Sequence, residues 1–233
     1  MPTGVIIEAF SILLGGTLGA IFKNHVPNRI KEPLNTVFGI SAITIGIVSL
    51  MKLNSLPAVI LAIILGCLIG ELIHLEAHIK NIFAKAIHKM NFKIDSDYDE
   101  YMNLYIIVSI IFCASGTNIF GALTEGMTGD MTILVSKAVL DVFASFIFAT
   151  TLGYAMHLLV IPQFISLCAF FYLARLIMPL ISQPMISDFM ATGGILTIVI
   201  GLCITKMLKF NGASLLPALI LVFPATYLFG LFF

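Results

Sequence analysis

Tryptophan is absent from the 233 residues, and only 10% of them are charged. Ordinary soluble domains carry about 25% charged residues, so this chain cannot clothe a water-facing surface. Its 12 Lys and Arg balance its 12 Asp and Glu. With no excess of either sign, no bulk field draws an acidic or basic partner, and a nucleic-acid binder is excluded. Cys67, Cys113, Cys168 and Cys203 fall one per apolar stretch, with no CxxC pair. That excludes a disulfide scaffold and argues against a thiol metal or redox centre. No Walker loop, HExxH, GxSxG or strand-linked GxGxxG occurs. What remains is apolar: 60% of the residues are hydrophobic, and mean hydropathy is +1.10. This composition specifies an integral membrane protein, with any aromatic belt drawn from 6 Tyr and 19 Phe.

The N-terminus, Met1-Pro2-Thr3-Gly4, turns apolar at once, with Glu8 inside the run. It has no basic n-region and no clear cleavage site, so it reads as a first helix rather than a signal peptide. A crossing needs about 20 mostly apolar residues. Segments 3–22, 34–51, 56–79, 101–122, 138–160, 162–182, 191–208 and 214–233 qualify. The expected fold is therefore all-α, with eight transmembrane helices, or seven if one weak segment does not cross. The whole chain, 1–233, reads as a single membrane domain. Its parts are a first repeat (1–79), a cytoplasmic loop (80–100), a central hairpin (101–160) and a second repeat (161–233). The loop is basic at Lys80, Lys85, Lys89 and Lys93, then acidic at Asp95, Asp97, Asp99 and Glu100. It is too short for an extramembrane catalytic domain, so no enzyme and no cofactor is expected.

Lys and Arg set the orientation. With both termini outside, Lys23, Arg29, Lys31, Lys80, Lys85, Lys89, Lys93, Lys206 and Lys209 lie inside. Lys52 and Lys137 lie outside, and Arg175 falls within a span. The opposite orientation inverts this bias.

Gly39-Ile40-Ser41-Ala42-Ile43-Thr44-Ile45-Gly46 resembles Gly194-Ile195-Leu196-Thr197-Ile198-Val199-Ile200-Gly201. Each is followed by a Lys-x-Asn turn, at Lys52 and Lys209, and then by Leu-Pro-Ala-x-Ile-Leu from Leu56 and Leu216. The charge rule sends the two copies through the membrane in opposite directions. Spans one to three against six to eight then form an inverted repeat, a device of secondary transporters. The alternative is coincidence between Leu/Ile-rich helices.

Charge inside hydrocarbon is expensive and so points to function. Its densest concentration runs from Cys113 to Asp141. Gly116, Gly121, Gly126 and Gly129 permit irregular backbone. Ser115, Thr117, Asn118, Thr124 and Thr128 supply oxygens; Glu125, Asp130 and Asp141 supply negative charge. A broken or re-entrant segment there would line a polar cavity for a cation or solute. The alternative is a glycine-rich outer turn with Lys137 and Asp141 as an i,i+4 ion pair. Glu8, with Ser11 and Gly15 on its face, suits the same cavity or an interfacial position. Arg175 could bind an anion, neutralise a carboxylate or snorkel. Glu71, His74 and His78 share one helix face and make weak metal candidates; a wetted helix end explains them as well. Gly15-x-x-x-Gly19 and Gly66-x-x-x-Gly70 allow close helix contact, within the chain or with a second copy as a homodimer.

Three blocks carry a resemblance: Leu14 to Gly19, Gly66 to Leu72, and Gly121 to Asp130 continuing through Lys137 to Asp141. Ala191 to Gly194 and Leu216 to Leu219 extend it. The chain resembles the YqgA/YdfK-like bacterial inner-membrane proteins, a domain-of-unknown-function family (DUF 554). The resemblance implies a bacterial multi-pass membrane protein of transporter type, in the cytoplasmic membrane, and brings no substrate. The loop after Lys80 departs from that pattern, being longer and more charged.

Three functions fit these features. The first is a secondary transporter of a small solute or ion, coupled to a proton or cation bound by Glu125, Asp130 and Asp141. The second is a channel with the same polar segment as its filter. The third is a scaffold or lipid-binding protein that uses the glycine faces. Expected partners are the lipid bilayer and a small solute or ion.

Overall fold

The computed structural model describes residues 1–23, 25, 27–89, 98–113 and 115–231, and every regular element among them is helical. In chain order these are α1 (Thr3–Phe22), α2 (Asn28–Leu50), α3 (Leu56–Leu72), α4 (Leu75–Lys89) and α5 (Tyr98–Cys113). Then follow α6 (Gly116–Thr128), α7 (Thr132–Leu152), α8 (Val160–Ile177), α9 (Gln183–Ile204) and α10 (Ala218–Phe229). Prolines stand in the first turns of α3 and α9, where the missing N–H has no helical partner to lose. Gly129 ends α6 in a left-handed turn (φ 78°), its amide donating to Glu125 O at 2.9 Å.

Five helical stretches are long and apolar enough to cross a membrane, or six if the bent pair α3–α4 counts as one span. That pair bends by 59°, where His74 takes φ 49° and its amide donates to Glu71 O. The sharp bend therefore falls inside the third expected span, 56–79, and not in the central segment. There, Tyr101–Thr128 runs as one 28-residue span interrupted near Ser115. The stretch expected as a polar loop from residue 80 begins as helix. Lys80, Lys85 and Lys89 ride on α4, whose apolar residues Leu75, Ile79 and Ile82 recur at helical spacing. Asp99 and Glu100 already belong to α5, whereas Lys93, Asp95 and Asp97 lie outside the described residues.

Thr132–Leu176 passes as one 45-residue apolar stretch, yet it folds back on itself. Leu134 and Leu167 share a small buried cluster with Val5 and Ala122. A straight helix between them would be roughly 50 Å long at 1.5 Å per residue. The reversal follows α7 through a 3-10 turn that starts at Gly153 (φ 63°).

The outer surface is apolar, and several polar and charged side chains are buried within a largely hydrophobic interior. Phe10, Phe143, Ile165 and Ile220 are exposed, while Glu8, Asn118, Asp141, Gln163 and Asp188 are buried. In water this would be upside down; in lipid it satisfies both solvents.

Glycines set the two closest helix pairs. On α2 and α9, a Cβ at Gly39 would lie 2.9 Å from Gly201 O, and one at Gly46 would lie 2.6 Å from Gly194 O. The two helices thus pack antiparallel, glycine against glycine. On α1 and α7, Gly15 meets Val142 and Ser145, and Gly19 meets Phe146 and Ala149, so these helices run parallel.

A Cβ at Gly15 would fall 2.1 Å from both Val142 O and Ser145 Oγ, whereas one at Gly16 would meet the Met156 side chain at 3.3 Å and His157 Cε1 at 3.8 Å. Gly15→Ala should lower the melting temperature in detergent by the equivalent of about 1–3 kcal/mol of overpacking. Gly16→Ala should change it far less. Equal melting temperatures for the two variants would contradict this packing.

Candidate functional site

The α1–α7 contact brings one side chain of α1 against two of α7. Glu8 is fully buried, and Asp141 is nearly so. Lys137 donates to Asp141 Oδ1 one helical turn away, and its ammonium stands 5.8 Å from the Phe112 ring centre. Glu8 lies beside Asp141, Lys137 and Asn118. From α8, Gln163 reaches across and donates to Glu8 Oε1 at 3.5 Å. Asn118 is held by the break between α5 and α6, donating across it to Phe112 O at 3.3 Å. Four elements thus converge on two carboxylates, one ammonium and two amides.

Four oxygens in this cluster are buried and accept no hydrogen bond: Glu8 Oε2, Asn118 Oδ1, Asp141 Oδ2 and Gln163 Oε1. Buried polar atoms are nearly always paired, so four orphans together mark a site rather than a flaw in packing. The cluster adjoins a cavity of about 540 Å3 between α2, α5, α6, α7 and α9. Lys137 and Asp141 stand on its wall with Ser41, Ser115, Thr117 and Ser136.

The remaining residues singled out in the sequence separate from this centre. Glu125 is buried one turn of α1 away, where its Oε1 accepts from the Gly4 amide at 2.7 Å, at the N-terminus of α1. Its Oε2 is a fifth orphan. Thr128 and Asp130 are exposed on the turn before α7. The Thr132 hydroxyl and amide both donate to Asp130 and hold its carboxyl below the usual range. Arg175 is exposed in the last turn of α8. Glu71, His74 and His78 sit at the α3–α4 bend, where Glu71 accepts from Ser214 and Asn211. Among the described residues no three His, Cys, Asp or Glu side chains are placed to hold a metal.

Two buried polar positions escaped the sequence reading. Gln163 is an uncharged residue beside Pro162 and carried no signal of cost. Asp188 lies just before the expected seventh span, but α9 starts earlier and buries it completely. Its Oδ1 accepts from the amides of Asn54 (2.8 Å) and Ser55 (2.7 Å), and its Oδ2 from Thr226 Oγ1 (2.8 Å). It caps the start of α3 from another helix, where a negative charge meets the positive end of the dipole.

Asp188→Ala would leave these donors unpaired, at about 1–3 kcal/mol each. Thermal unfolding of the purified variant should show a clear loss of stability, and an unchanged midpoint would refute this structural role.

The model for "Protein of unknown function (DUF554)" matches residues 3–227. The chain is 40% identical over 225 residues to "Uncharacterized protein YqgA" of Escherichia coli (strain K12), covering 96% of each chain. It is 26% identical over 222 residues to "Uncharacterized membrane protein YdfK" of Bacillus subtilis (strain 168), covering 94% of this chain and 93% of that one. No solved structure gives a significant match. By a match that spans nearly all its length, the chain belongs to the DUF554 family.

Proposed function

We propose that the protein is a secondary transporter that moves a small solute or ion across the bacterial cytoplasmic membrane, coupled to a proton or cation at the Glu8–Asp141–Lys137 cluster. The observation that carries this reading is the set of buried, unpaired oxygens beside a largely apolar cavity that Lys137 and Asp141 reach. With all three groups ionised, the cluster has one net negative charge. A lone charge at membrane depth costs from about 2.5 kcal/mol upward. Binding one monovalent positive charge removes that penalty, so the loaded state can rearrange where the unloaded one resists.

The reading takes eight crossings with both termini outside, arranged as an inverted repeat. The α2–α9 packing supports it. The two similar segments meet each other antiparallel, Gly39 on Gly201 and Gly46 on Gly194, as a two-fold axis between them requires. The α3–α10 pair is antiparallel as well, with Gly66 against Ala218 and Gly70 against Ser214 of the 3-10 turn (Gly212–Leu215) that leads into α10. Rocking of such halves would open the cavity to alternate sides. No enzymatic step is assigned.

Uptake into proteoliposomes under imposed pH and cation gradients tests this proposal. Asp141→Asn and Glu8→Gln should each reduce gradient-driven flux roughly tenfold or more, the factor that 1.4 kcal/mol produces. Asp130→Asn, on the exposed turn, should transport normally. Gradient-independent flux in wild type, or full activity in Asp141→Asn, would defeat the coupling.

A further inference from the structure

The proposed coupling leaves open which positive charge the cluster takes. A proton needs one acceptor, or two if it is shared. Four orphan oxygens, two of them amide carbonyls, exceed what one proton can satisfy. Carboxylate and carbonyl oxygens are the donors that hard cations prefer. A dehydrated alkali cation can contact several oxygens at once, and this donor set offers nothing to softer metals. The charge balance selects valence. Glu8 and Asp141 against Lys137 leave one unit of negative charge, which one monovalent cation neutralises and a divalent one overshoots.

Glu8, Asn118, Asp141 and Gln163 come from α1, α6, α7 and α8, so the four oxygens lie on four separate helices. Asn118 and Gln163 are fully buried. Asn118 donates to Phe112 O and Gln163 to Glu8 Oε1, while the amide oxygens of both have no donor. By comparison, both oxygens of Asp188 have protein donors, so an ion has no place there.

Resting on the transporter reading, we infer that Glu8, Asp141, Asn118 and Gln163 together form a binding site for one dehydrated alkali cation of the sodium type. The cation takes the place of a proton on the carboxylate pair, so each loaded form is neutral overall. Sodium and protons therefore compete for the site, and the bare site, with its net charge, resists reorientation. Other ionisable groups on elements packed against α1 are Glu125 of α6, Cys168, Tyr172 and Arg175 of α8, the last two exposed, and Tyr154 and His157 of the 3-10 turn after α7. Glu125 is bound at the Gly4 amide and His157 at Thr17 Oγ1 (2.9 Å). Competition should accordingly follow the pair and not these groups.

Equilibrium binding of radioactive sodium to the purified full-length protein in detergent tests the site without any need for flux. We expect saturable binding in alkaline buffer, displaced by excess unlabelled sodium but not by choline, and weakening as the buffer is acidified. Glu8→Gln should weaken binding roughly tenfold or more, and Gln163→Leu should weaken it while keeping both carboxylates. Asp130→Asn should bind like wild type. The acid-dependent loss in wild type guards against a variant that fails to fold, and size-exclusion elution reports folding in each case. Absence of sodium binding in alkaline buffer, with the protein folded, overturns the inference: the oxygens are then met by water or a proton. Binding that Gln163→Leu and Glu8→Gln leave intact overturns it too. The two readings fail separately. Sodium binding without solute flux upholds the ion site and removes the transporter; proton-driven flux without sodium binding does the reverse.

Discussion

The close parallel contact of α1 with α7 is the constraint on which the rest of the site depends. Gly15 and Gly19 let the backbones meet at distances that no side chain would permit. Only at that separation does Glu8, two turns before Gly15, reach the Lys137–Asp141 pair. Lipid offers helices no hydrophobic reason to associate, so such contacts rest on close packing and polar bonds. The same seam therefore supplies both. It buries three ionisable groups together: the Lys137 ammonium attracts both carboxylates and offsets part of the cost of taking them out of water, while the two carboxylates repel each other.

Buried acids in this molecule fall into two kinds. Asp188 accepts two amides and a hydroxyl, and its charge faces the N-terminus of α3. It links the α2–α3 turn to α9 and α10 and is chemically complete. Glu8 and Asp141 are unfinished. Each keeps one oxygen with no donor, and two neighbouring amides do the same. Glu125 lies between the two kinds, with one oxygen on the start of α1 and the other unpaired. Helix caps need one or two acceptors in fixed places, and Asp188 satisfies that need. Nothing in helix capping calls for the surplus around Glu8.

Charge in an apolar run is conspicuous, so Glu8, Lys137 and Asp141 were readable one by one in the sequence. Their meeting was not, because it depends on α1 lying against α7, a contact between residues more than a hundred positions apart. Gln163 hid because a neutral amide disturbs hydropathy little. Asp188 hid because Pro184 starts α9 one turn before it, deeper than the apolar run suggested. The basic stretch after residue 79 read as loop from its lysines, whereas Leu75, Ile79 and Ile82 at helical spacing carry α4 into it. Thr128 and Asp130 were grouped with the site by proximity in sequence. Gly129 turns the chain there and leaves both outside. Proximity along the chain was a weaker guide than the glycine that reverses it.

A purely structural reading of the cluster meets an energetic difficulty. Replacing a buried ion pair by well-packed apolar residues is often neutral or stabilising by about 1–4 kcal/mol. Here the pair is accompanied by a second carboxylate and by acceptors without donors, which makes the arrangement costlier still. In a scaffold, that cost would bring no benefit that apolar packing could not provide better. In a carrier it has a use. A site that is uncomfortable when bare and neutral when loaded couples occupancy to movement, because only the loaded form crosses the low-dielectric barrier readily. On the proposed reading, the cavity beside Lys137 and Asp141 would place a solute against the same groups. Ion occupancy and solute occupancy would then act on one set of charges, with the unpaired oxygens as the physical link between them.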